Sequence, residues 1–240
     1  MVSIVIPAHN EEANIRSVVE EFYTKVVAEV EGSELIVVND ASTDGTARIL
    51  AALQSEFPRL RVVDTGSQLG HGRSIRLGFQ HARCDWLFYT DGDYQTRADE
   101  LLVMLKDLDR YDFQGGIRLR RDDGFQRWVV TSVLRMTTRF LTGVGAVDGN
   151  CPYKLIRRSL WEKIGPIIPE KSLGPMICLN VVVMDLGVRT RFLPIRWHRR
   201  RGGRESVSGW WKWIRVGLAV QRDMRAVRVS LRNSRALLRS

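Results

Sequence analysis

Asp85-Trp86-Leu87-Phe88-Tyr89-Thr90-Asp91-Gly92-Asp93 carries an apolar, aromatic run straight into a turn with two carboxylates. So short a run, ended by a polar turn, reads as a strand over 85–89. The arrangement recurs upstream. Val2-Ser3-Ile4-Val5-Ile6 is β-branched and stops at Pro7, Glu34-Leu35-Ile36-Val37-Val38 stops at Asn39-Asp40, and Leu60-Arg61-Val62-Val63 stops at Asp64. Between them the sequence predicts helices. The first is capped by Asn10 and runs to about residue 30, with Glu11 and Glu12 at its positive end. Others begin near Asp44 and cover 70–83. Strands alternating with helices at these spacings predict βαβ units, hence an α/β fold with a Rossmann-like, mostly parallel sheet flanked by helices.

Ligands of such sheets gather outside the carboxyl ends of the strands. The residues expected there are Pro7-Ala8-His9-Asn10-Glu11, Asn39-Asp40, Asp64 and Asp91-Gly92-Asp93. Carboxylates crowded along one edge repel one another unless a cation sits among them. A divalent metal, Mg²⁺ or Mn²⁺, is the economical expectation, and Asp91 and Asp93, one residue apart, are its natural ligands because Mg²⁺ prefers oxygen atoms shared with phosphates. The D-x-D pattern taken alone also suits a solvated acidic turn. Asp44 suits a helix cap and Gly45 a relaxed turn, whereas Asp40, directly at a strand end, can accept a hydrogen bond from a nucleobase.

Further along, the pattern predicts a strand over 112–118, a helix over 126–141, a strand over 153–156, a helix over 173–187 and a last strand over 189–197. Arg118, Arg120 and Arg121 follow the first of these. The composition divides sharply. Residues 1–197 hold 25 Lys and Arg against 25 Asp and Glu, while residues 198–240 hold 12 basic residues against Glu205 and Asp223, so the formal charge of +10 resides in the tail. A catalytic domain over 1–206 and a basic helical tail over 207–240 follow. No apolar stretch approaches the roughly 18 residues that cross a bilayer, and the start of the chain lacks a signal-peptide pattern. Cys84, Cys151 and Cys178 have no metal-ligand spacing and read as reduced thiols of a cytoplasmic protein.

Six ordered motifs reach a recognisable family. They are residues 3–12, 39–46, Leu69-Gly70-His71-Gly72, Tyr89-Thr90-Asp91-Gly92-Asp93-Tyr94-Gln95, residues 148–158, and Leu193-Pro194-Ile195 followed by Arg200 and Gly203. Together they make the chain resemble the family 2 glycosyltransferases (GT2) of GT-A fold, especially polyprenyl-phosphate (dolichyl-phosphate) mannosyl- and glucosyltransferases. The resemblance implies an inverting single displacement on a nucleotide sugar. It implies that Pro7, His9, Glu11 and Asp40 hold the nucleoside and that Asp91, Gly92 and Asp93 complete the donor site. Asp91, Asp93 and Gln95 would surround the metal at this DXD motif. Arg118 and Arg120 would meet donor and acceptor phosphates, as would Arg200 and Arg201 on a loop, with Asp91, Asp93, Arg118 and Arg200 as the catalytic set. Mannose from GDP-mannose is favoured over glucose from UDP-glucose by resemblance alone.

Some positions depart from the family pattern. His9 stands where tyrosine is common, Asn39 where aspartate is, and Cys151-Pro152-Tyr153-Lys154 replaces a Ser-Gly-Phe-Arg type of sequence. Pro175-Met176-Ile177-Cys178-Leu179-Asn180 lacks the acidic residue often found before the last strand. A hydroxyl acceptor needs a base, for which Asp148 is the candidate, whereas a phosphate acceptor is already an anion.

In the tail, Trp213, Val216, Val220, Met224, Val227 and Leu231 recur every three or four residues as an apolar stripe, with arginines largely elsewhere. One reading lays this amphipathic helix in a membrane surface beside a polyprenyl phosphate, at the cytoplasmic face. The other packs the stripe on the protein itself or on a partner. Arg199-Arg200-Arg201-Gly202-Gly203-Arg204 reads as a phosphate-ordering lid or a solvated basic run. Two other functions stay open: transfer to a hydroxyl in glycan or natural-product assembly, and nucleic-acid binding through the tail.

Overall fold

The computed structural model describes residues 1–119, 148–149, 151–198 and 210–238. Seven strands form one sheet: β1 (Val2–Ala8), β2 (Glu34–Asn39), β3 (Leu60–Asp64), β4 (Trp86–Thr90), β5 (Phe113–Arg118), β6 (Tyr153–Arg157) and β7 (Thr190–Ile195). Their order across the sheet is β3-β2-β1-β4-β6-β5-β7. Every neighbouring pair is parallel except those that β6 makes with β4 and β5. The mostly parallel expectation is met, and the six parallel strands all end at one edge. The antiparallel β6 begins at that same edge.

β1, β2 and β4 are buried along their whole length, as strands covered on both faces must be. On one face Ile4, Leu35, Phe88 and Leu155 meet α1 (Ile15–Phe22), α2 (Thr46–Glu56) and α4 (Asp99–Leu105). On the other, Val5, Val38 and Tyr89 meet α3 (His71–His81), α5 (Arg158–Ile164), α6 (Pro175–Asp185) and α7 (Trp210–Leu238). α3 lies so close on β1 that a Cβ at Gly78 would stand 2.2 Å from Val5 Cγ1. This contact fixes where the start of α3 meets the sheet edge.

Several expectations need correction. Asn10 does not cap the first helix. Its φ of 56° is left-handed, and its Oδ1 instead accepts the Thr43 N–H at 2.7 Å, tying the β1 loop to the β2 loop. The helix starts at Ile15 and becomes a π-helix at Tyr23–Val27. α4 and α5 are each seven residues long, too short for the periodicity to reveal. The expected 126–141 helix lies outside the described residues.

The tail stripe is also corrected. Val220, Met224, Val227 and Leu231 are buried in the same core cluster as α6, so they cover the protein and not a bilayer. The side chains of Trp213 and Val216 lie outside the described set. Asp223, the sole acid of α7, reaches Leu173 N at 3.2 Å. No helix among the described residues is long and apolar enough to cross a membrane. The three cysteines are free and buried, and burial raises the Cys151 and Cys178 thiols to about 12, which keeps them protonated.

Candidate active site

The parallel strands deliver their loops to one edge, and three of those loops hold a non-glycine residue at positive φ. These are Asn10 after β1, Ala41 (φ 51°) after β2 and Tyr94 (φ 60°) after β4. Such backbone persists only where its surroundings enforce it and gathers at functional sites. Tyr94 is held by a hydrogen bond from its hydroxyl to Glu21 Oε2 (2.8 Å) and by Arg97 stacked 3.6 Å over its ring. The turn that follows Asp91-Gly92-Asp93 is therefore anchored to α1. Gly92 is closely packed: a Cβ there would stand 3.2 Å from the Pro7 carbonyl, a tight approach, and 3.7 Å from Glu11 Cγ, an ordinary contact. Pro7, Glu11 and the Asp91-Gly92-Asp93 turn are thus brought together as expected.

Asp91 is half-buried and is the end of a relay. The Tyr89 hydroxyl donates to Asp91 Oδ1 at 2.7 Å, and His71 Nε2, at the start of α3, lies 2.7 Å from the same hydroxyl. With the phenol donating to Asp91, His71 Nε2–H is the donor to Tyr89. Burial, reinforced by the Asp91 charge, holds the Tyr89 phenol far above its ordinary pKa, so it stays a neutral donor. A ligating carboxylate whose second oxygen is pinned in this way is the usual arrangement around a metal. His71 and Tyr89 received no role from sequence, although both lie inside quoted motifs. The signal that could have found them is parity, since Tyr89 must face the layer that contains α3.

Asp93 Oδ1 accepts the Gln95 N–H at 3.1 Å. Gln95 also pairs with the segment leaving β7. Its side-chain N–H donates to His198 O at 3.0 Å, and its own carbonyl accepts the His198 N–H at 2.9 Å. Only its Oε1 remains to face a metal. The wider crowd of carboxylates is not one cluster, and among the described residues no three His, Cys, Asp or Glu side chains form a metal cage. Each acid outside the turn has a local donor instead. Asp40 accepts the Leu69 and Gly70 amides at 2.7 and 2.8 Å, Asp64 accepts Asn39 Nδ2 at 2.6 Å, and Glu11 accepts Asn14 Nδ2 at 3.0 Å. Asp64 ends the edge strand, roughly 14 Å from β4 at about 4.8 Å per strand. Of the strand-end acids, Asp91 and Asp93 are therefore the pair whose arrangement could take an ion that also draws oxygen atoms from phosphate.

Asp44 sits one residue before the N-cap of α2, which is Gly45, and its Oδ1 accepts Thr46 N at 3.0 Å, closing the turn that leads into the helix. His9 is exposed, with Nδ1 2.6 Å from the Asp40 carbonyl and Nε2 3.3 Å from Gln68 Nε2. The carbonyl can only accept, so Nδ1 carries the proton.

Arg118 ends β5 as expected, but it is buried. Its Nε and Nη2 fork onto Asp148 at 2.7 and 2.6 Å, each side chain is only 3% exposed, and Trp197 stacks at 4.9 Å. The planar fork matches a carboxylate in this way. Asp148, considered as a base, is held by this pair. Arg120, Arg200 and Arg201 lie outside the described residues.

The sequence matches the model of glycosyl transferase family 2 over residues 3–165. The chain belongs to this family. It is 27% identical over 225 residues to a dolichyl-phosphate beta-glucosyltransferase of Trichomonas vaginalis, covering 86% of this chain and 68% of that one. It is 30% identical over 160 residues to an undecaprenyl-phosphate 4-deoxy-4-formamido-L-arabinose transferase of Shewanella sediminis, covering 65% of this chain and 48% of that one. Its GT-A fold is shared with glucosyl-3-phosphoglycerate synthase of Mycobacterium tuberculosis in complex with Mn²⁺, UDP-glucose and phosphoglyceric acid, at a TM-score of 0.65 and 18% identity over 96% of this chain and 79% of that one. The family 2 assignment and the GT-A expectation from sequence are both met.

Proposed function

We propose that this family 2 glycosyltransferase moves a hexose from a nucleotide sugar to a polyprenyl phosphate, peripherally at the cytoplasmic face of a membrane. The observation that carries the reading is the Asp91 carboxylate, fixed at the end of β4 by Tyr89 and His71 in a family 2 fold. Asp91 and Asp93, with Gln95 Oε1 beside them, would hold Mg²⁺ or Mn²⁺, which would neutralise charge developing on a nucleoside diphosphate leaving group. Pro7, His9, Glu11 and Asp40 would line the nucleoside end. There Asp40 sets the loop that carries Leu69 and Gly70, and Nε2 of His9 accepts from Gln68. Arg120, Arg200 and Arg201 would supply the open phosphate contacts, while Arg118 positions Asp148 and Trp197.

The names of both relatives begin with a polyprenyl phosphate, which supports that acceptor class. The commitment of Asp148 to Arg118 supports it independently, because a hydroxyl acceptor needs a free base and a phosphate does not. Mannose rests on the sequence resemblance alone, while the relatives' names point to glucose and a formamido-arabinose. Paired assays with polyprenyl phosphate and the corresponding neutral polyprenol, each with GDP-mannose or UDP-glucose and Mn²⁺, test the reading. Product from the phosphate alone is expected; equal transfer to the alcohol would overturn it.

A further inference from the structure

The apolar stripe of α7 faces inward, so the opposite side of the helix needs its own account. Arg215, Arg222, Arg225 and Arg228 are exposed, and Leu218 and Val229 lie among them at 62% and 58% exposure. At 100° per residue, positions 215, 218, 222, 225 and 229 fall on one side of the helix, about 180° from Val220, Met224, Val227 and Leu231. The only acid of the helix, Asp223, is buried against Leu173 and neutralises none of the outer arginines except Arg222, at 3.5 Å. The face from 215 to 229 spans roughly 21 Å.

The helix itself, through its buried side, packs near the site. A Cβ at Gly174 would meet Val220 Cγ2 at 2.8 Å, and one at Gly72 would meet the Ser172 carbonyl at 2.9 Å. Gly72 adjoins His71, which holds Tyr89 and through it Asp91. α7 therefore packs on the 172–174 segment that also meets the start of α3.

We propose that this outer face of α7 is a docking surface for an anionic lipid bilayer. Arginines attract the headgroups, and exposed aliphatic side chains set between them enter the headgroup layer, a combination suited to a bilayer surface and not to a purely phosphate backbone. Docking is electrostatic, with the main stripe of the helix kept inside the protein. This differs from the insertion that the sequence pattern alone suggested, and it does not depend on which sugar or acceptor the enzyme uses.

The test is flotation of the full chain with vesicles of phosphatidylcholine alone or with 30% phosphatidylglycerol, neither containing polyprenyl phosphate. The protein is expected to float with the anionic vesicles only and to be released by raising NaCl from about 0.1 to 0.5 M, as screening shortens the Debye length. Each basic residue near such a surface is worth about fivefold, so the triple variant R215E/R222E/R225E should bind at least on the order of 100-fold more weakly. The triple lysine variant should retain binding. Soluble, thermally cooperative charge-reversal protein that still floats would overturn the proposal. So would equal binding to neutral vesicles, retention in high salt, or salt-sensitive RNA binding with no flotation.

Discussion

Removing the Tyr89 hydroxyl tests the relay that orients the Asp91 carboxylate proposed to hold the metal. Tyr89→Phe keeps the ring, which packs against α3, and deletes the donor 2.7 Å from Asp91 Oδ1. A hydrogen bond to a charged group contributes about 1.5–3 kcal/mol, or roughly 10- to 150-fold in affinity. The structure places His71 Nε2 only 3.4 Å from Asp91 Oδ1, so His71 can close on the carboxylate and recover part of the loss. The single variant should therefore lie near the low end, with the Mn²⁺ midpoint raised about 10-fold. The double variant Tyr89→Phe/His71→Ala lacks that substitute and should approach about 100-fold, in the range of other outer-shell losses. The assay is calorimetric titration of Mn²⁺ at fixed nucleoside diphosphate, with circular dichroism to show that the fold persists. A midpoint within twofold of wild type in the double variant would refute the reasoning.

Other predictions concern the core and the donor site. Asp148→Ala leaves the Arg118 guanidinium buried without its carboxylate and should cost about 3–5 kcal/mol of stability in denaturant unfolding, as one half of a buried pair does. Lys154 is fully buried, has no hydrogen-bond partner for Nζ, and lies 5.9 and 6.0 Å from the Phe113 and Phe192 rings. Burial lowers its pKa from 10.5 to about 8. Between those values the unfolded chain binds the extra proton, so wild-type stability rises with pH across about 8 to 10.5, and below 8 the charged form weakens the fold. Lys154→Met should then raise stability by roughly 3 kcal/mol at pH 7, with the advantage shrinking across that window in parallel thermal melts. A gain that does not vary with pH would show that the methionine acts by packing alone.

The strands were legible because β1, β2 and β4 are unbroken apolar runs that end in turn residues. Their spatial order was less so: nothing local in Tyr153-Lys154-Leu155-Ile156-Arg157 states that it runs antiparallel between β4 and β5. Asp91 and Asp93 were legible as a strand-end pair of carboxylates from their place after an apolar run. The fate of the other acids was not, because Asp40 is hydrogen-bonded by two backbone amides from residues about 30 positions away, and main-chain donors leave no mark on sequence. Arg118 and Asp148 likewise looked like two separate functional groups until the fold closed them into a pair. The α7 stripe shows the same limit. Its period correctly gives an apolar side, but Val220, Met224, Val227 and Leu231 would look the same against α6 or a lipid.

The central claim is that Asp91 and Asp93 serve transfer of a nucleotide-linked hexose to a polyprenyl phosphate. The most direct measurement is incubation of the full chain with radiolabelled sugar nucleotide, polyprenyl phosphate and Mn²⁺, followed by solvent extraction. Label should enter the organic phase and fall by at least about 10³-fold in Asp91→Asn and in Asp93→Asn, since metal stabilisation of the leaving charge is worth several kcal/mol. Label confined to the aqueous phase, or full lipid-phase transfer by both variants, would contradict the account.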